Sequence, residues 1–325
     1  MPEMMRALVV TSLDGPDAIE LREMPVPTNP DAVIIEVHAA GANFADTLMT
    51  RGKYQVKPEP PFIPGVEVAG IVRSAPASSP LKPGDRVAAS AMGAFAEVVA
   101  APPFTAIAIP DGMSFEAATS LPVNYQTAYF GLVWRGGLRD GETVVVHGAS
   151  GGVGSAAIHV AKATGARVIA IARGADKVQI CRDLGADDVI DSTNPWLPVA
   201  KELTGGRGVD MVYDPVGGEG FTDNLRALAP EGRVIVIGFA GGSIPEVKVN
   251  RLLLANTSVI GAGITEFVRH NPQMPHIVAA EIAKLWQKMP FEPLVGGRYP
   301  LERGADALRD LEGRCAVGKL GINVR

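Results

Sequence analysis

The stretch TVVVHGASGGVGSAAIHVAK, residues 143–162, decides the fold. Val144, Val145 and Val146 run without alternation between Gly141 and Gly148. That suits a parallel strand covered on both faces. Residues 155–163 read as a helix. The glycine-rich turn between them would aim the main-chain N–H groups of residues 151–154 at the helix N-terminus, where unpaired donors and the macrodipole favour an anion. Glycine matters because a side chain would keep a pyrophosphate away from the main chain. Two readings of the turn compete. In one it is a dinucleotide-binding G-x-G-x-x-G, imperfect because Ala149 takes the first glycine's place, with Gly151 and Gly154 in register. In the other, residues 148–152 match the G-x-S-x-G elbow of hydrolases, with Ser150 as nucleophile. The bare motif does not choose.

The residues downstream of the turn do choose. A second apolar strand, residues 167–171, returns after the helix, and Arg173 stands at its end, nineteen positions past Gly154. A dinucleotide site places an acid roughly 20 residues on, for the ribose 2′-hydroxyl, and an arginine there suits a 2′-phosphate instead. Lys177 follows four residues later. Asp214 and His270 could be drafted into a hydrolase triad with Ser150, but that leaves Arg173 and Lys177 without a purpose. The residues therefore predict NADPH.

The chain has 325 residues, 47% of them hydrophobic and 20% charged, with a formal net charge of −5, which predicts two ordinary α/β-type domains. Lys and Arg are scattered, so no nucleic-acid surface is expected. No apolar run approaches bilayer-spanning length and the start lacks leader features, which predicts a cytoplasmic protein with no membrane partner. Cys181 and Cys315 lie far apart and form no C-x-x-C pair, so both read as structural thiols.

Upstream of about residue 122 the chain shows short strands at 33–37, 66–72, 86–89 and 95–100, broken by Pro and Gly, as in a small barrel or sandwich. From residue 125 strands alternate with helices, at 143–147, 167–171, 188–190, 210–213, 233–237 and 258–260. That alternation predicts a doubly wound parallel sheet. A helix near 277–288, a strand near 294–299, a helix near 302–311 and a last strand at 320–324 look like a return to the first domain. The expected architecture is a Rossmann domain, 124–264, inserted into a mostly-β domain made of 1–123 and 265–325. The active site is expected in the cleft between them. Ligands on such a sheet lie outside the carboxyl ends of the strands, which makes Val216, after the fourth strand, and Gly238 and Phe239, after the fifth, candidate contacts. Residues 258–263 would form an edge strand, and a homodimer by edge pairing is expected.

The segment 146–154, with Asn43-Phe44-Ala45-Asp46, Arg51-Gly52-Lys53-Tyr54 and Pro64-Gly65-Val66-Glu67-Val68-Ala69-Gly70 upstream, resembles the zinc-independent quinone oxidoreductases of the medium-chain dehydrogenase/reductase superfamily. The resemblance runs over essentially the whole chain and implies that the first domain is a GroES-like barrel. Zinc alcohol dehydrogenases of that superfamily hold catalytic zinc with a cysteine near the place of Asn43 and the histidine of a G-H-E-x-x-G segment. Here that histidine is Val66, and the structural-zinc cysteines are missing, so no metal site is expected. Glu67 is then expected to be a structural carboxylate in a turn.

Without zinc to polarise a carbonyl, the expected acceptor is easier: a quinone or similar conjugated carbonyl, which takes hydride at carbon while charge develops on a conjugated oxygen. The resemblance implies that Asn43 and Tyr54 supply the polar contact to the acceptor, with Asn43 also beside the nicotinamide. It places Thr127 near the nicotinamide and its ribose, Gly152 and Val153 at the pyrophosphate, and Lys319 as a closing cofactor contact. Ser150 becomes a small residue in the cofactor loop. Several relatives carry a tyrosine after the third strand near the 2′-phosphate; here Ser192 follows Asp191, leaving that phosphate to Arg173 and Lys177. Alternative readings are reduction of 2-enoyl thioesters or 2-alkenals, and, from another class, a non-catalytic NADPH-binding protein. His147 and His159 read as core or helix-surface residues, and His38, His270 and His276 show no metal spacing.

Overall fold

The computed structural model describes residues 2–325. The chain divides into two compact units, Met1–Val123 with Glu292–Arg325, and Asn124–Phe291. The first unit opens with β1 (Met4–Val10) and β2 (Ile19–Pro25), which pair antiparallel as a separate ribbon. Next come β3 (Val33–Ala42), α1 (Phe44–Thr50), β4 (Glu67–Ser74), β5 (Arg86–Ser90), β6 (Val98–Ala101), β7 (Ala106–Ala108) and α2 (Phe115–Ala118). The apolar residues of these strands alternate or run continuously according to whether one face or both are covered. Val33, Ile35, Val37, Val68, Val72 and Val87 are buried in one cluster with Phe95. The helix α1 has no counterpart in the strand-rich reading of this region.

The second unit begins at Asn124, inside a wider π-type turn, Leu121–Tyr125, that leads into α3 (Gln126–Tyr129) and a further such turn, Phe130–Arg135. It continues through β8 (Thr143–Val146), α4 (Gly152–Thr164), β9 (Arg167–Ala172), α5 (Ala175–Asp183), β10 (Asp188–Asp191), α6 (Trp196–Leu203), β11 (Val209–Asp214), α7 (Phe221–Ala227), β12 (Leu228–Val236), α8 (Asn250–Ala255), β13 (Ser258–Gly261), α9 (Ile264–His270) and α10 (Met274–Lys288). Its six strands are all parallel, in the order β10-β9-β8-β11-β12-β13. That is the doubly wound order, with the chain reversing direction across the sheet between β8 and β11. Val145, Ile169, Val212 and Val234 make the sheet's part of a core shared with Phe221 and Leu225 of α7. Each such side chain contributes about 1.5–3 kcal/mol on burial.

The chain then returns to the first unit with β14 (Val295–Pro300), α11 (Gly304–Glu312) and β15 (Lys319–Asn323). These complete a seven-stranded sheet of order β14-β15-β3-β4-β5-β7, with β6 paired to β3. The return comes later than residue 265. Residues 265–291 group with the doubly wound sheet because α10 packs on α3 and α4 and buries Val278 and Ile282. Gln126 Nε2 donates to Pro275 O at 3.3 Å and Lys288 Nζ to Ala163 O at 3.0 Å, tying both ends of α10 to that unit. The amphipathic pattern showed a helix but not which core its apolar face joins.

Candidate functional site

In the second unit the glycine turn lies at the carboxyl end of β8, beside the reversal point. Helix α4 starts at Gly152, three residues earlier than the apolar pattern suggests, so residues 152–154 form its first turn and Gly151 its N-cap. The N–H groups of that turn are the ones a helix cannot pair internally. Two glycines are required by the chain's own packing. A Cβ on Gly154 would run into Gly148 O, and one on Gly152 would stand 2.5 Å from Asn124 Nδ2. Gly151 has an ordinary φ of −83°, and the only neighbour a Cβ would meet is Gly148 O at 3.3 Å. Packing therefore asks least of Gly151, and close approach of a ligand to the main chain accounts for it best. Ser150 is buried in the turn, and Thr127 is buried in α3.

Arg173 follows β9 and is exposed, with Lys177 one turn along α5. Asp191, ending β10, lies against the turn that carries Arg173. Its Oδ1 accepts Gly174 N–H at 3.0 Å and Thr193 N–H at 2.9 Å. Those two bonds, with a smaller contribution from the Arg173 charge, hold its carboxyl below the usual carboxylate range. The acid here thus serves the main chain of the β9–α5 turn, and Arg173 projects from that turn.

Beyond the reversal point, Val216 follows β11, and Gly238 and Phe239 follow β12. The two loops are hydrogen-bonded together: Ala240 N–H donates to Pro215 O at 3.1 Å and Gly241 N–H to Val216 O at 2.8 Å. A Cβ on Gly148 would meet Val216 Cγ2 at 3.4 Å, so the glycine turn and the Val216 loop are neighbours. These predicted residues all follow the carboxyl ends of strands of the parallel sheet, β8, β9, β11 and β12.

Asn43, Tyr54 and Lys319 belong to the first unit. Asn43 caps α1, and Asp46 Oδ2 accepts its N–H at 2.8 Å, the return half of a capping box. Its side chain is enclosed in a buried polar cluster. Asn43 Nδ2 donates to Glu67 Oε1 at 2.8 Å and to Gly41 O at 3.4 Å, and Asn43 Oδ1 accepts from Lys319 Nζ at 2.7 Å. Lys319 Nζ also pairs directly with Glu67 Oε1. The amide orientation follows from chemistry, since a carboxylate only accepts and an ammonium only donates. Gly41 is required there, because a Cβ would run into Glu67 Oε1.

Glu67 therefore opens β4 as a fully buried ion-pair partner, where the sequence suggested a carboxylate in a turn. Desolvation raises its carboxyl pKa against the opposing pull of Lys319. Burial likewise pushes Asp46 up to about 7, and Asp46 Oδ1 has no hydrogen-bond partner among the described residues. Lys319 is equally buried, with its Nζ engaged by Glu67 and Asn43. Tyr54 is half-buried in the loop after α1 and makes no hydrogen bond among the described residues.

Comparison with known proteins fits both units. Residues 29–111 match the family described as alcohol dehydrogenase GroES-like domain, and residues 152–281 match the family described as zinc-binding dehydrogenase. Quinone oxidoreductase-like protein 2 of Rattus norvegicus is 37% identical over 98% of this chain and 92% of its own. A probable oxidoreductase from Mycobacterium abscessus superimposes with a TM-score of 0.92 at 42% identity, covering all of both chains. The quinone oxidoreductase from Thermus thermophilus, whose structure is known also in complex with NADPH, gives 0.81 at 33% identity, over 98% of this chain and 100% of that one.

The chain belongs to the quinone oxidoreductase family of the medium-chain dehydrogenases/reductases.

Within this quinone oxidoreductase fold, His159, His38 and His270 each have a partner of their own. The Tyr125 hydroxyl and His159 Nδ1 share a hydrogen bond of 2.7 Å inside the α3–α4 packing, and burial pulls the His159 pKa down to about 4. His38 stacks on Phe115 at 4.3 Å, and His270 pairs with Glu266 on the surface at 3.5 Å. Asp214 is not a triad acid: its carboxylate binds Asn224 and two main-chain N–H groups. Of the cysteines, Cys181 is buried, and desolvation pushes its thiol up to about 12, whereas Cys315 is exposed. Three residues that build the site escaped the reading of the sequence. Asp46 closes the cap of α1, Asn124 packs against the glycine turn, and Asn224 holds the Asp214 carboxylate.

Proposed function

We propose that the chain is an NADPH-dependent reductase that passes hydride to a quinone or similar conjugated carbonyl acceptor without a metal. The observation that carries this reading is the glycine turn at the reversal point of the doubly wound sheet, with Arg173 at the end of the adjacent strand β9. The NADPH complex of the Thermus thermophilus relative supports it. The N–H groups of Gly151, Gly152, Val153 and Gly154 would take the pyrophosphate, in a cradle bounded by Ser150. Arg173, with Lys177, would take the 2′-phosphate; a guanidinium fork matches phosphate oxygens two at a time. Thr127, Val216, Gly238 and Phe239 would border the nicotinamide half.

Bound NADPH supplies the hydride, from nicotinamide C4. The chain's part is to orient the acceptor and stabilise the oxygen on which charge develops. Both amide hydrogens of Asn43 are held by Glu67 and Gly41, so donation to that oxygen falls to the Tyr54 hydroxyl. Asn43 and Lys319 hold the polar cluster of the first unit in shape through their mutual bond. Lys319 sets an ammonium against Glu67 and Asn43, and its charge opposes a divalent cation at that cluster.

A second copy of the chain is the proposed partner. Strand β13 is the edge of the parallel sheet, and Ile244, Val249, Leu253 and Leu254, in the connection leading to it, are 74–79% exposed. An exposed apolar group beside an open edge invites pairing. A monomer in sedimentation equilibrium at micromolar concentration would rule this out.

The cofactor assignment is tested by Arg173→Ala. With a quinone acceptor, the variant should raise the KM for NADPH by roughly tenfold, the loss of one charge-assisted contact, and leave the KM for NADH within about twofold. Equal effects on the two nucleotides would refute it.

A further inference from the structure

The Asp214 carboxylate stands at the carboxyl end of β11 and is 1% exposed. Its Oδ1 accepts the N–H groups of Val216 at 2.8 Å and Gly217 at 2.9 Å. Its Oδ2 accepts Asn224 Nδ2 from α7 at 2.8 Å, and Asn224 Oδ1 lies 2.8 Å from His147 Nε2. The protons of this relay can be assigned. The carboxylate only accepts, so the amide nitrogen of Asn224 faces it and the amide oxygen faces His147. His147 must then carry its hydrogen on Nε2. Desolvation lowers the His147 pKa despite Asp214, which keeps the ring neutral, and Trp196 packs edge-on against it at 4.9 Å.

His147 immediately precedes the glycine turn, so the relay joins the carboxyl ends of β8 and β11, the two strands that flank the reversal point. It also governs a third strand end. With the N–H groups of Val216 and Gly217 turned toward Asp214, Val216 O is free to accept Gly241 N–H, and Gly218 N–H donates to Ser243 O at 3.2 Å. Gly217 holds φ at 64°, and a Cβ there would stand 2.8 Å from Phe239 Cδ1. One buried carboxylate thus sets the conformation of both loops that carry Val216, Gly238 and Phe239.

We infer that Asp214, held through Asn224 and His147, is a positioning residue that pre-orders the 215–218 and 238–243 loops to receive the nicotinamide half of the cofactor. The inference rests on the dinucleotide reading of the glycine turn. Loops ordered before binding need not lose that freedom on binding, so the relay acts on affinity for the half of the ligand they touch. The adenosine half, at β9 and Arg173, lies on the other side of β8 and is outside its reach.

The test uses Asn224→Ala and two probes, NADPH and adenosine 2′,5′-bisphosphate, which spans the adenosine half alone. The variant leaves Asp214 Oδ2 and His147 Nε2 without partners. NADPH should bind roughly tenfold more weakly and its KM should rise in proportion, with kcat at saturation within about twofold. The bisphosphate should bind as to the unaltered chain. Asp214→Asn supplies the conservative control. Its amide can still accept both loop N–H groups, Asn224 can turn over, and His147 can move its hydrogen to Nδ1, so the relay runs with reversed polarity. Its NADPH affinity should stay within about threefold of the unaltered chain. Equal weakening of both probes by Asn224→Ala, or unchanged NADPH binding, would overturn the inference. If the unaltered chain binds neither probe, the dinucleotide reading itself fails and the inference with it.

Discussion

Replacing Lys319 with Met should destabilise the chain by about 3–5 kcal/mol, because it leaves Glu67 buried without its counter-charge. The ammonium has no route to solvent through which water could replace it: its side chain is 1% exposed and that of Glu67 is 0% exposed. Breaking one side of such a pair costs far more than removing both. The double replacement Lys319→Met with Glu67→Gln should therefore recover most of the loss, since Gln keeps an oxygen or amide for Asn43 and carries no charge. Chemical denaturation of the four proteins in the cycle measures the coupling directly. A single Lys319→Met variant as stable as the unaltered chain would mean that the pair contributes nothing.

The second large effect is a dependence on pH that runs opposite to the usual carboxylate case. Asp46 is raised by desolvation from an ordinary 3.8 to about 7 in the folded chain. A carboxyl with a raised folded pKa binds its proton more tightly when folded. Its contribution is present in full below the unfolded value and is lost as pH rises through the folded one. Stability should fall between about pH 4 and pH 7, with an upper magnitude of roughly 4 kcal/mol at about 1.4 kcal/mol per pH unit. Asp46→Asn can still accept the Asn43 N–H and has nothing to titrate. The variant should flatten the profile across that interval, and a profile that keeps its slope would assign the titration to another group.

The fold was legible wherever the signal was local. Unbroken valines, a glycine turn and a following helical run describe β8 and α4 without help from the rest of the chain, and Arg173 could be placed because the spacing from the turn to the second strand end is fixed by one helix. Sequence failed where partners are distant. Glu67 and Lys319 are 252 positions apart, and each read separately as a turn carboxylate and a lysine contacting cofactor. Only the closure of β15 on β3 brings them together. His147 and Asn224 are 77 apart, and Asn224 sits among Thr222, Asp223 and Arg226 in α7, where nothing local marks it as the one polar residue turned inward. Asp214 was visible as an acid at a strand end, and its use was set by the amide that α7 places against it. The apolar pattern starts α4 three residues late because glycine lowers helix propensity, whereas tight packing of Gly154 on Gly148 fixes the first turn. The allegiance of α10 is not local information either, because amphipathicity reports that a face is buried without saying against what.

Reduction of conjugated carbonyls with NADPH and without a metal can be measured in one assay. The rate of NADPH loss is followed on adding para-benzoquinone to chain dialysed against a chelator, and repeated with NADH, a 2-alkenal and a 2-enoyl thioester. Quinone-dependent NADPH oxidation should survive chelation and exceed that with NADH. A chain that binds NADPH yet oxidises it with none of these acceptors, or that turns over only when metal is restored, would contradict the proposed function.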